Sequence, residues 1–198
     1  MTKRTALRAA IALAAVATLA APADAHKLAE KGKAVTVAAS NLSVTPTRDW
    51  NRLSRKVGKH AENWTVDGEQ LDEVTFHAAI EPGEPLMRER SKKKEPLPKF
   101  RNDMLLAEVP ELLERTYRAG KDARDFQLSE SAPGKFLGRD GVTFSYQVTD
   151  NDGLIRKGEA RAAIVDGKLY LVTFDAPRLH YFDLLAEDAR ALMASATL

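Results

Sequence analysis

The chain of 198 residues contains no cysteine. Disulfides, thiolate metal sites, a cysteine nucleophile and lipid attachment through an N-terminal Cys are thereby excluded, so a packed core must hold the fold. A large excess of one charge is missing as well. Lys and Arg number 30 against 28 Asp and Glu. Taking away residues 1–25, with Lys3, Arg4, Arg8 and Asp24, leaves 27 of each sign. Such a balance gives no support for nucleic acid as a partner. The motifs G-x-G-x-x-G, G-x-x-x-x-G-K and G-x-S-x-G do not occur. Dinucleotide cradles, P-loops and a nucleophile elbow therefore have no candidate. The longest apolar run, Ala9 to Ala21, falls short of the ~20 residues a transmembrane helix needs.

That short run has its own meaning. Lys3, Arg4 and Arg8 precede it, and Pro22 and the small-residue triplet Ala23-Asp24-Ala25 follow it. A positive start, an apolar core and an A-x-A end predict a secretory signal peptide over residues 1–25, cleaved between Ala25 and His26. The expected location is periplasmic or secreted. Residues 26–39, polar and rich in Ala and Lys, read as a flexible lead-in, and residues 40–198 read as a single domain.

Periodicity gives the elements. Leu42 and Val44 alternate with Ser43 and Thr45 as a short edge strand, while Trp50 to Lys59 fits either helix or strand. After a turn at Asp67-Gly68, Val74, Phe76, Ala78 and Ile80 alternate with Thr75, His77 and Ala79 as a half-buried strand. Arg88 to Lys99, with Pro96 and Pro98, reads as a solvated loop. Leu105, Val109, Leu112, Leu113 and Thr116 share a helix face, and Pro110 within it either kinks one helix or, as preferred here, opens a second at its first position. From Phe126 to Asp175 a meander is expected, with turns at Ala132-Pro-Gly134, Asp150 to Gly153 and Asp166-Gly167. The last turn sets Ile164 opposite Leu169 and Ala162 opposite Leu171. Gly158 in mid-strand marks a bulge or a bend over something bulky. A closing helix carries Phe182, Leu185, Ala189, Leu192 and Ala196. The class is α+β: an antiparallel meander sheet with helices packed on one face.

Candidate chemistry is sparse. Adjacent acids such as Asp72-Glu73 and Glu187-Asp188 diverge from one another and read as surface groups. Asp150, Asp152 and Gly153 start like a calcium loop, but Ile155 and Arg161 stand where Gly and Glu are required. His60, His77 and His180 lack ligand spacing. His26 differs, because cleavage after Ala25 would make it the new terminus, where its amine and ring could chelate copper. Copper through His26 is therefore the alternative to a chain without cofactor or catalytic residues. Arg88, Arg90, Lys92, Lys93 and Lys94 could touch an anionic surface, though Glu89 and Glu95 dilute the patch. Asn41-Leu-Ser and Asn63-Trp-Thr match glycosylation sequons. Trp64, Phe76, Phe144, Tyr146, Tyr170 and Phe174 read as core, with a ligand pocket as the other option.

One resemblance is carried by turns and aromatics in the last third. Pro133-Gly-Lys-Phe136 with Gly138, the strand Val142 to Val148, the hairpin at Asp166-Gly-Lys168, Leu169-Tyr-Leu171 before Ala176-Pro177, and a helix ending at Ser195 form the pattern. It resembles small α+β proteins of the PsbP-like type and uncharacterised exported proteobacterial proteins. The resemblance implies a non-enzymatic envelope or assembly role, with an envelope protein or small ligand as partner. It transfers no site residues.

Overall fold

The computed structural model describes residues 27–91 and 96–198. Ten strands and two α-helices follow one another as β1 (Lys27–Ala29), β2 (Val35–Thr36), β3 (Ser43–Val44), β4 (Trp50–Arg52), β5 (Ala61–Thr65), β6 (Glu73–Ile80), a 3-10 turn (Leu106–Glu108), α1 (Val109–Gly120), β7 (Asp125–Phe136), β8 (Arg139–Thr149), β9 (Ile155–Val165), β10 (Lys168–Pro177) and α2 (Tyr181–Ala194). Eight strands form one antiparallel sheet in the order β1-β4-β5-β6-β10-β9-β8-β7, and β2 pairs with β3 apart from it. The α+β class with a meander is thus present, its meander being β7 to β10.

The helices are placed differently from the expectation of a single covered face. On β10, Tyr170, Val172 and Phe174 pack with Phe182, Leu185, Ala189 and Leu192 of α2. Leu169 and Leu171 pack with the cluster that holds Leu112, Leu113 and Tyr117 of α1. Successive strand residues point to opposite faces, so α1 and α2 lie on opposite sides of the sheet. Central strands buried on both faces explain why β10 is apolar almost throughout rather than alternating.

Turn chemistry sets the register. Asp166 (φ 50°) and Gly167 (φ 75°) make the β9–β10 turn, and Ile164 pairs with Leu169 and Ala162 with Leu171, as expected. The turn expected at Ala132-Pro-Gly134 does not form. Those residues pair with Thr143, Val142 and Gly141 inside β7–β8, and the chain reverses at Leu137 (φ 53°) and Gly138 (φ 69°). Pro133 has no N–H to donate, and an edge strand such as β7 tolerates it. Ala79, at φ 57°, breaks the alternation of β6 and sends Ile80 into the α1-side cluster while Val74, Phe76 and Ala78 stay on the α2 side.

The N-terminal half resolves one open reading. Trp50 to Lys59 begins as strand β4, and Trp50 is wholly buried. Within the stretch read as a lead-in, β1 pairs with β4 and β2 with β3. Ala29 and Val37 are buried there, and Ala38 N–H donates to Glu62. Pro110 lies in the first turn of α1, directly after the 3-10 turn, as expected of a helix restart.

Candidate functional site

On the α1 face, the sheet changes character across its width. Under α1, β7 to β9 present Phe126, Phe144, Tyr146, Val148 and Ala160. Toward β5, β6 and β10 the same face is polar. Asn63 stands opposite Thr75, and Thr75 opposite Thr173. In the next row, Glu73 stands opposite Asp175, Asp175 opposite Gly158, and Gly158 opposite Tyr146. His77 extends the β6 file. These rows floor a cavity of about 510 Å³ walled by Tyr117, Gly120 and Lys121 of the α1 end, Met87, Val57, and Arg156.

Each wall has a local cause. Tyr117 and Lys121 are four apart, so they share one side of the helix end. Asp122 (φ 55°) takes the left-handed position after the helix, and the N–H groups of Lys121 and Ala123 close it on Tyr117 C=O. A Cβ on Gly120 would lie 2.4 Å from Met87 Sδ, and one on Gly158 would lie 2.2 Å from the Tyr146 ring. Gly158 therefore lets the Tyr146 ring cross β9 toward Asp175. This is the bulky neighbour that the sequence anticipated.

The acids and bases of the floor are paired, while Asp150 and Asp152 add carboxylates at the edge of the lining. Arg156 Nε donates to Asp175 Oδ1 at 2.7 Å, its Nη2 to the Asp175 carbonyl at 3.0 Å, and its Nη1 to Gln70 C=O at 2.7 Å. Tyr117 Oη donates to Asp175 Oδ2 at 2.9 Å. Lys121 Nζ donates to Glu73 Oε2 at 2.6 Å and sits 4.5 Å above the Tyr117 ring. Asn63 Nδ2 donates to Glu73 Oε1. The side chains of Glu73, Asp175 and Arg156 are 7%, 2% and 8% exposed, and that of Lys121 is 30% exposed.

Burial and charge set the protonation states. Burial raises the Glu73 carboxyl, and the Lys121 ammonium only partly opposes it. Burial would also raise Asp175, but Lys121 and Arg156 outweigh it and hold the carboxyl below its ordinary value. Burial disfavours the Lys121 ammonium, yet Glu73 and Asp175 keep it above its ordinary range. Burial pushes both Tyr117 and Tyr146 well up. His77 is lowered to about 4, chiefly by burial, while the Leu86 carbonyl at 3.0 Å opposes this. At neutral pH the lysine is cationic, the phenols are protonated and the imidazole is neutral.

Asp72 and Glu73, expected on the surface, are instead buried. Asp72 closes the β5–β6 turn by accepting from Val66 N–H at 2.6 Å, Asp67 N–H at 2.7 Å and Thr65 Oγ1 at 3.0 Å. Glu73 lies on a strand buried on both faces and Asp72 in the turn just before it, and each obtains hydrogen-bond partners instead. Of the aromatics weighed as pocket or core, Trp64, Phe76, Tyr170 and Phe174 belong to the α2-side core. Phe144 and Tyr146 belong to the α1-side core, and Tyr146 also supports the cavity through Asp175. His60 lies 3.7 Å from Glu84, and His180 is exposed at the start of α2. The histidines do not converge. Among the described residues, no group of three or more His, Asp and Glu could hold a metal ion, and no helix is long and apolar enough to cross a membrane. Ala25, His26, Lys92, Lys93 and Lys94 lie outside the described residues. Arg88 is exposed, and Arg90 pairs with Asp122 at 2.8 Å beside the cavity mouth. The sequon at Asn63 is buried.

No family model and no curated protein matches this sequence. The fold is similar to the solution structure of cyanobacterial PsbP (CyanoP) from Synechocystis sp. PCC 6803. Identity is 12%, the TM-score is 0.57, and the match covers 92% of this chain and 98% of that one. The PsbP-like likeness read from the last third therefore extends to nearly the whole chain, as a likeness of fold. A second similar structure is LpqN, involved in cell envelope biogenesis of Mycobacterium tuberculosis. It has 11% identity and a TM-score of 0.36 over 88% of this chain and 85% of that one, too low a score to support an argument.

Proposed function

We propose that this chain is an exported, non-enzymatic accessory or binding protein of the cell envelope that receives a small ligand in the cavity beside α1. The carrying observation is the cavity itself: about 510 Å³, within the range of small-molecule sites, and floored by buried polar side chains that α1 leaves uncovered. The buried charges at its floor compensate one another, Glu73 with Lys121 and Asp175 with Arg156, which suits a preformed binding surface. The signal-type segment at residues 1–25 supports export, and the PsbP-like fold is consistent with an extracytoplasmic accessory protein. Arg88 and Arg90, with Lys92, Lys93 and Lys94 next to them in the sequence, supply basic groups for anionic surfaces of the envelope.

The test is a chemical-shift screen of the mature protein against a mixed library of neutral, cationic, anionic and zwitterionic metabolites. At least one compound is expected to give saturable shifts at the floor of β5, β6 and β10. Responses confined to the loop around Arg88 would assign binding to the basic surface and overturn the cavity reading. Osmotic-shock fractionation tests export: a mature protein starting at His26 is expected in the released fraction, and an uncleaved cytosolic chain would overturn it.

A further inference from the structure

We propose that the corner joining β10 to α2, together with the turn that leads into β9, docks a partner polypeptide through an apolar segment flanked by Lys or Arg. This goes beyond the small-ligand reading and is independent of it. Arg178 N–H donates to Ile155 C=O at 2.9 Å, which carries the β9–β10 register one residue past the pair Pro177–Arg156. The next pair in that register is Leu179 with Leu154. Leu179 is 78% exposed and Leu154 41%. Leu184, 53% exposed, lies in the first turn of α2, where its N–H reaches His180 C=O at 3.2 Å. With His180 as N-cap, Leu179 and Leu184 hold the two positions that commonly staple a helix start by packing together. Here both remain open to solvent. A single exposed leucine needs no explanation, but three grouped at one end of the molecule do.

The backbone fixes this corner. Tyr181 N–H donates to Leu179 C=O at 3.0 Å across His180, whose φ of 73° and ψ of −63° make a γ-turn of the rare hand. Behind it, Phe182 stacks on Phe174 with ring centroids 5.5 Å apart, and Leu185 is wholly buried. The inward positions are therefore already filled by the α2-side core, and the three leucines are left for an outside partner.

Charge selects that partner. Asp150 and Asp152 lie in the turn before Leu154, and Asp183 and Glu187 lie beside Leu184 on α2. Among the described residues, none of these four carboxylates makes an ion pair or accepts a hydrogen bond. Two bases stand near them. Arg178 is exposed, and Lys157 holds its ammonium 5.1 Å from the centre of the Phe182 ring. Arg156 and Arg190 are committed to Asp175 and Glu159. Four acids against two bases leave an excess of negative charge around the leucines. An anionic lipid surface is repelled by it. An isologous pair of this chain would bring the same carboxylates of both copies together. A polypeptide with Lys or Arg beside apolar side chains gains twice, because apolar contact supplies affinity and opposite charge steers the approach.

The experiment selects peptides from a random library on the immobilised mature protein and measures the enriched ones by fluorescence anisotropy. They are expected to carry apolar residues flanked by Lys or Arg. Leu179→Ser and Leu184→Ser, at exposed positions, are expected to weaken their binding about tenfold. Leu105→Ser, at a leucine 67% exposed before the 3-10 turn, is expected to leave it unchanged. Asp150→Asn combined with Asp152→Asn is expected to weaken it about threefold, and so is salt at about 0.5 M. Enrichment of acidic or uncharged peptides, affinity indifferent to Leu179→Ser, or no enrichment at all would overturn the proposal. Co-sedimentation with phosphatidylglycerol vesicles that Leu179→Ser abolishes would assign the corner to lipid instead. A dimer in sedimentation equilibrium that the same variant abolishes would assign it to a second copy. The metabolite screen reads the floor of β5, β6 and β10, so its result and this one fail separately.

Discussion

Acidification tests the burial of His77. Its ring is 2% exposed, and burial lowers its pKa from 6.5 to about 4 in the folded chain. Above pH 6.5 the ring is neutral in both folded and unfolded states and contributes no pH dependence. Between 6.5 and 4 the unfolded chain takes up a proton that the folded chain refuses, so stability falls as pH falls. Below about 4 both states are protonated and the loss stops growing. A separation of that size corresponds to about 3 kcal/mol, or a fall in Tm of about 6–12 °C for a domain of this length. Glu73 works in the opposite sense. Its carboxyl is raised in the folded state, so acidification from that raised value toward 4.5 adds stability. The wild-type curve alone is therefore a difference of two effects. Urea unfolding from pH 7 to 4 should be run in parallel on His77→Asn, whose amide nitrogen can still donate to Leu86 C=O. The gap between the two curves is expected to change by about 3 kcal/mol across that range. Parallel curves, or a His77 ring that titrates near 6.5 by NMR, would refute the reasoning.

Asp175→Asn leaves Arg156 charged and buried against a neutral amide, and it is expected to cost about 3–5 kcal/mol in urea unfolding. Arg156→Met should cost a similar amount, and the double variant clearly less than the sum; strict additivity would mean that the pair is not coupled. Gly158→Ala forces a methyl into the Tyr146 ring, with an expected loss of about 1–3 kcal/mol. The loss should shrink in a Tyr146→Leu background, and an equal loss there would point to backbone strain instead. Lys121→Met removes the cation beside Glu73. Infrared difference spectra at neutral pH should then show an additional protonated carboxyl band, and its absence would mean that Asn63 and solvent suffice to keep Glu73 ionised.

Local chemistry made much of the fold readable. Asp166-Gly167 set a two-residue turn, and with it the pairing of β9 and β10. Pro110 marked the first turn of α1, and Gly158 announced the close approach of Tyr146. Two features failed for identifiable reasons. Ala132-Pro-Gly134 has the composition of a turn, but strand pairing with Thr143, Val142 and Gly141 overrides it on an edge where a missing N–H is harmless. The placement of α1 opposite α2 depends on the crossover from β6 through α1 to β7, and periodicity within either helix carries no information about which face it will cover.

The cavity was hidden for a related reason. Glu73 and Asp175 are 102 positions apart in sequence, yet they are neighbours because β6 pairs with β10. Lys121 arrives from a helix and Arg156 from β9. No local spacing links such residues, and each acid taken singly resembles an ordinary surface group. A signal was nevertheless present. In β6 the residues Glu73, Thr75 and His77 alternate with Val74, Phe76 and Ala78, which normally marks a face turned to solvent. On a sheet covered on both sides, that face meets protein rather than water. Its polar groups must then find partners among themselves or in a ligand. Glu73 finds Lys121, and Asp175 finds Arg156. Asn63 Oδ1 and Thr75 Oγ1 find none, and both are sealed from solvent beneath the floor.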